Sequence, residues 1–134
     1  MTRRAPLGAA VASSFDPGEA LGVVRRRTTL VPKVALVLGS GLGLLAEGVA
    51  WEASFSMEEI PGLPRPTVPG HAGRLLLGRW GGRPVAVAQG RSHLYEGHSA
   101  EEVTRVVRLF AVLGTKALVL TNAAGGISPR MAPA

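Results

Sequence analysis

The side chains best able to do chemistry sit in two glycine-rich turns, one glycine-flanked histidine and one short polar run. Gly39-Ser40-Gly41-Leu42-Gly43 follows an apolar run from Lys33 to Leu38. Glycines at such a place leave main-chain N–H groups open to an anion, and Ser40 adds a hydroxyl. A phosphate suits a turn of this kind, and a following helix would add its dipole. The stretch Gln89-Gly90-Arg91-Ser92-His93-Leu94-Tyr95-Glu96-Gly97-His98 supplies a second set. If the strand over Val85 to Gln89 continues through it, Arg91, His93 and Tyr95 lie at i, i+2 and i+4 and point to one face. Arg91 would grip a phosphate with its guanidinium fork, His93 would donate a hydrogen bond, and Tyr95 would offer a ring edge and hydroxyl to a sugar. His71 lies between glycines at the end of a proline-rich stretch, where it reads either as a mobile gate over a site or as an ordinary surface histidine. Thr121-Asn122-Ala123-Ala124-Gly125-Gly126, after the apolar run Leu118 to Leu120, has side chains small enough for a ligand to approach the backbone closely.

Other chemistries fit less well. Gly41-Leu42-Gly43-Leu44-Leu45-Ala46 satisfies a dinucleotide fingerprint in form, but it starts two residues late for the strand, and Glu58 and Glu59 do not close an obvious second strand. The same turn also reads as a tight turn with a packing role alone. His71, His93 and His98 lack the spacing and carboxylate partners of a metal site, so no metal is expected. Neither a G-x-S-x-G nor a G-K-[ST] signature is present.

The elements that must position these residues are legible from period and punctuation. Asp16-Pro17 with Glu19 predicts a helix to about Thr28. Lys33 to Leu38 predicts a strand buried on both faces by flanking helices, and the glycine turn then leads towards a short helix. Trp51 to Met57 alternates as a strand does, and Ile60 to Gly73 is a proline-rich loop. Gly73 to Trp80 and Arg83 to Gly90 flank Gly81-Gly82 as a hairpin. Ser99-Ala100-Glu101-Glu102 is a capping box before a helix with Val103, Val106, Val107, Phe110 and Leu113 at helical spacing, closed by Gly114. A last strand follows over Lys116 to Asn122, with Leu118 to Leu120 as its buried run. The expected fold class is α/β, a mixed β-sheet flanked by helices, in one domain over residues 1–134 with a loose segment at 1–15.

Composition narrows the function classes. The chain has 134 residues, 46% of them hydrophobic, which suits one domain with a sizeable core and argues against disorder. The net charge of +6 comes from scattered arginines with one short run, Arg25-Arg26-Arg27, and aromatics are only 4%, so neither a basic stripe nor a stacking platform for nucleic acid is expected. A small anionic ligand suits the arginines better. No apolar run approaches the roughly 20 residues of a membrane span, so no membrane partner is expected. Cysteine is absent, which removes disulfides and thiolate chemistry and leaves the cytoplasm as the default compartment. Met1 to Ala12 has two arginines before a short apolar stretch, faintly like a signal peptide, but Pro6 and Gly8 interrupt it.

Taken together, VALVLGSGLG, VPGHAGRL, QGRSHLYEGHS and LVLTNAAGG resemble, in this order and spacing, the trimeric class of purine nucleoside phosphorylases. The resemblance covers roughly Pro17 to Ser128. It implies phosphate-dependent cleavage of purine nucleosides to a free base and ribose 1-phosphate, with inorganic phosphate as co-substrate, no cofactor, and a homotrimer as the assembly. It implies phosphate contacts at Ser40, His71, Arg91, Ser92, His93 and Ala123, and a sugar contact at Tyr95. Members of the family run to about twice this length and take their base-contacting asparagine and glutamate from the second half. A truncated chain with half a site and little or no catalysis is therefore expected. Methylthioadenosine phosphorylase shares the fold and reaction, but Ser40, the GHAG segment and the alanines of NAAGG resemble the purine nucleoside class. A non-catalytic phosphate-binding remnant is the other alternative.

Overall fold

The computed structural model describes residues 14–132, so the segment expected to be loose at 1–15 and the faint signal-like stretch lie almost wholly outside the described residues. Helix α1 spans Pro17–Arg25, with the Asp16 carboxylate accepting from the amides of Gly18 at 2.7 Å and Glu19 at 3.3 Å. It stops before the expected Thr28. Arg25 donates to the Leu30 carbonyl at 2.8 Å, and the amides of Arg27 and Thr28 both return to Val24, so the chain bends back instead of extending. The arginine run is thus largely spent on structure: Arg27 donates to the Ser54 carbonyl, pairs with Glu59 and lies over the Phe55 ring.

The strands are β1 (Val34–Leu38), β2 (Trp51–Ser56), β3 (Arg74–Trp80), β4 (Arg83–Gln89) and β5 (Ala117–Leu120), and α2 (Ala100–Leu113) joins the last two. They form one sheet in the order β2-β3-β4-β1-β5. The meander β2-β3-β4 is antiparallel, whereas β1 runs parallel to both β4 and β5. The sheet is therefore mixed, as the sequence order requires. Gly81 and Gly82 turn the β3–β4 hairpin with φ of +56° and +77°, the left-handed pair that a two-residue turn demands.

Both helices pack on one face. Ala20 and Val24 of α1 and Val106, Leu109, Phe110 and Leu113 of α2 meet Ala35, Val37, Phe55, Leu75, Leu77, Ala86 and Ala88 from the sheet. The opposite face has a smaller apolar cluster around Leu38, Leu76, Val85 and Val87, edged by Trp51 and Trp80, whose rings meet edge-on at 6.3 Å. This corrects the expectation that helices flank β1 on both sides. The expected buried strand at Leu118 to Leu120 is also corrected. Among the described residues β5 pairs with β1 alone, so its other edge is open and Leu120 is 59% exposed. On α2 the capping box forms as expected, with Ser99 and Glu102 satisfying each other's amides at 3.2 and 2.8 Å, and Gly114 closes the helix at φ +98°.

Candidate functional site

Topology brings the candidate residues to one end of the sheet. β1 and β4 are parallel and in register from Val34↔Val85 to Leu38↔Gln89, so the turns that leave them start side by side. β5 ends beside Val37, which delivers Thr121 to the same end. β3 is antiparallel and begins at Arg74 opposite Gln89, so the incoming His71-Ala72-Gly73 segment arrives there too. Gly90 donates to Leu38 at 3.2 Å, Gly73 to Gln89 at 3.0 Å and Thr121 to Val37 at 3.1 Å, fixing the three departures against one another. This is the carboxyl end of the parallel strands, where open α/β sheets take their ligands.

The Ser40 turn closes by a bond from the Leu42 amide to the Gly39 carbonyl at 3.2 Å, with Gly41 at φ +81°. Gly39 is required for a different reason: a Cβ there would stand 2.6 Å from the Thr121 carbonyl oxygen. Thr121 holds that contact by accepting from the Gly39 amide at 2.8 Å and donating its hydroxyl to Val37 at 2.9 Å. Only a single 3₁₀ turn, Gly43–Ala46, follows, so the expected helix dipole contributes little and the anion site must rest on side chains and local amides.

His71 is not the surface histidine that its glycine neighbours allow. It is 8% exposed, and Nδ1 sits 2.9 Å from the Arg91 amide nitrogen and 2.7 Å from the Arg91 carbonyl oxygen. Either contact fixes the ring and turns Nε2 towards Ser40, whose Oγ is 3.4 Å away. When Nδ1 accepts the Arg91 amide, Nε2 carries the proton and becomes a donor facing the Ser40 turn. Gly90 makes this packing feasible, since a Cβ at its φ of +96° would lie 2.6 Å from His71 Cβ.

The polar run does not continue the strand. β4 stops at Gln89, Gly90 turns the chain, and Leu94–Glu96 forms a 3₁₀ turn, so the alternation expected for Arg91, His93 and Tyr95 does not hold. The three still gather by another route. The His93 ring stacks on Tyr95 at 4.7 Å and leans against His71 at 5.2 Å, while Arg91 donates one Nη1 hydrogen to the Thr121 carbonyl at 2.8 Å. The guanidinium has further N–H donors beyond that bond. Tyr95 is 74% exposed. Ser92, expected with the phosphate group, is buried and donates to the Pro64 carbonyl at 3.4 Å, so its hydroxyl holds the proline-rich loop. Asn122 to Ile127, which includes Ala123, runs on exposed and without regular structure.

The sequence profile of the Phosphorylase superfamily matches residues 33–134. The chain belongs to that superfamily. Among its relatives, it is 48% identical over 107 residues to the purine nucleoside phosphorylase of Rattus norvegicus, covering 80% of this chain and 37% of that protein. To purine nucleoside phosphorylase 1 of Bacillus subtilis it is 50% identical over 97 residues, 72% of this chain and 36% of the other. A solved structure of isoform 2 of the Schistosoma mansoni purine nucleoside phosphorylase, in complex with cytosine and ribose-1-phosphate, superposes with a TM-score of 0.75 at 38% identity, covering 86% of this chain and 40% of that one. The chain thus spans a little over one third of the length of the curated relatives.

The surroundings of His93 and Glu96 set the electrostatics of this end of the sheet. Burial holds His93 below its usual 6.5, and the positive fields of Arg91 and His71 act in the same direction, against the opposing pull of Glu96. For Glu96, burial pushes the carboxyl upward, but bonds from the Thr67 hydroxyl and amide and from the His93 amide outweigh it and bring the value down to about 2. Both Thr67 contacts are 2.6 Å, so an ionised Glu96 ties the loop before His71 to the segment bearing His93. Among the described residues no group of histidine and carboxylate side chains is placed to hold a metal. No described helix is long and apolar enough to cross a membrane. The sequence singles out the stretches Gln89 to His98 and Thr121 to Gly126 but gives no positioning role to Gln89, Gly90, Glu96 or Thr121, and it misses Thr67 altogether. Glu96 had a signal, an acid three residues after His93 at the start of a turn; Thr67 had none.

Proposed function

We propose that this chain carries the phosphate-holding side of a purine nucleoside phosphorylase, with inorganic phosphate as co-substrate and a purine nucleoside as substrate. The convergence of Ser40, His71, Arg91 and His93 on one end of the sheet supports this reading. Arg91 supplies the fixed positive charge, Ser40 and the N–H groups of the histidine rings supply donors, and Tyr95, stacked on His93, would contact a sugar next to the phosphate. The ribose-1-phosphate bound by the Schistosoma mansoni relative is the product such an arrangement would hold.

In this reaction a phosphate oxygen forms a bond to the anomeric carbon as the glycosidic C–N bond breaks. The purine leaves with the bonding electrons and takes up a proton, giving free base and ribose 1-phosphate. The transition state is oxocarbenium-like, so the nucleophile has to be placed more than activated. Arg91 and Ser40 orient it, and His71 and His93 hold its remaining oxygens by hydrogen bonds. Assembly as a homotrimer belongs to the same proposal.

The test is inosine cleavage followed by hypoxanthine release, with and without inorganic phosphate. Release only with phosphate, lost in Arg91→Ala, supports catalysis by this chain. Phosphate binding without release would restrict the chain to the holding role, as a non-catalytic member of the fold. Cleavage that is indifferent to phosphate would contradict the proposal.

A further inference from the structure

The three turns of the site share one buried side chain that touches none of the proposed ligand. Gln89, the last residue of β4, is 4% exposed. Its amide nitrogen donates to the Gly43 carbonyl at 2.8 Å and to Glu47 Oε1 at 3.0 Å. Its amide oxygen accepts from Arg74 Nε at 2.9 Å, and Arg74 closes the ring through Nη2 to Glu47 at 3.1 Å. Each member stands within a few residues of a site turn. Gly43 and Glu47 follow Ser40 and Gly41, Arg74 follows His71, and Gln89 precedes Arg91. The network borders a cavity of about 290 Å³ between the Ser40 turn and Gly70.

We infer that Gln89, with Arg74 and Glu47, is the positioning centre that sets the Ser40, His71 and Arg91 turns at a common spacing. Only a carboxamide meets the requirements of this position. It must donate towards Gly43 and Glu47 on one side and accept from Arg74 on the other. A carboxylate would face Glu47 with like charge, and an apolar side chain would leave the Arg74 Nε and the partly buried Gly43 carbonyl without these partners. Arg74 is equally specific, because its fork reaches Gln89 and Glu47 at once, which the single ammonium of a lysine does not. A site whose donors must meet one anion together is sensitive to displacements of this kind.

The consequence for ligand binding rests on the phosphate reading above; the coupling of the turns does not. The test compares wild type, Gln89→Leu, Glu47→Ala and the double variant by amide hydrogen exchange and by titration with inorganic phosphate. Glu47 is more than half exposed, so Glu47→Ala keeps the fold if Gln89→Leu does not. In Gln89→Leu, exchange is expected to rise about tenfold or more at residues 40–43 and 70–73 together while α2 is unchanged, and phosphate affinity to fall about tenfold. Glu47→Ala should show a weaker form of both changes and add little in the Gln89→Leu background. Exchange rising equally in α2, or in one turn without the other, or unchanged phosphate affinity in the folded variants, would overturn the inference. If wild type itself binds no phosphate, the reading of the site fails, and the exchange pattern alone decides whether Gln89 couples the turns.

Discussion

At the scale of single residues, the fold keeps the His93 ring from charging, because its burial and the neighbouring Arg91 and His71 all disfavour the charged form. With the folded value below the unfolded 6.5, the unfolded chain takes up the proton first as pH falls. His93 therefore contributes stability above about pH 6.5 that is lost as pH drops towards its folded value. A bound phosphate would oppose this trend by favouring the charged ring. Proton NMR of the His93 ring should give a titration midpoint below 6.5 in the free chain and a higher one with saturating phosphate. A midpoint at or above 6.5 without phosphate, or one that phosphate leaves in place, contradicts the arrangement.

At the scale of elements, the site is made by turns, and the glycines set how closely they approach. Gly90→Ala would force a side chain at φ +96° onto the Cα and Cβ of His71, 2.8 and 2.6 Å away. Neither atom can swing aside as the end of a long side chain could, so the turn or β4 has to shift. A loss of about 1–3 kcal/mol is expected. Chemical denaturation should show it, and the His71–Arg91 contacts should be lost in the same variant. A stable Gly90→Ala with those contacts intact would contradict the close packing described here. The elements themselves were largely legible. The capping box at Ser99, the Gly81-Gly82 hairpin and the mixed strand order follow from local chemistry and the apolar period. Where sequence reasoning failed, the deciding contacts lie far apart along the chain. Nothing near Arg91 signals that Gly90 breaks the strand to admit His71, and the end of α1 is set by Arg25 reaching Leu30. The four site motifs could be picked out, but the network that spaces them could not, because Gln89, Arg74 and Glu47 are unremarkable polar residues until the fold brings them together.

At the scale of the molecule, one sheet carries two helices on one face and a thinner apolar cluster on the other, with β5 at an open edge. Leu118, Val119 and Leu120 are exposed there, next to Thr121, whose carbonyl accepts from Arg91. A single run of contacts links these elements: β1 and β5 hold Thr121, Thr121 holds Arg91, and Arg91 holds His71. An anion that engages Arg91 and Ser40 together would tighten this chain of contacts. The most direct measurement is calorimetric titration of inorganic phosphate into the wild-type chain and into Arg91→Ala. One phosphate per chain, with affinity reduced by about ten- to a hundredfold in a variant that still folds, is the predicted result. A folded wild-type chain that shows no saturable phosphate binding, or an Arg91→Ala variant that binds equally well, would contradict the account.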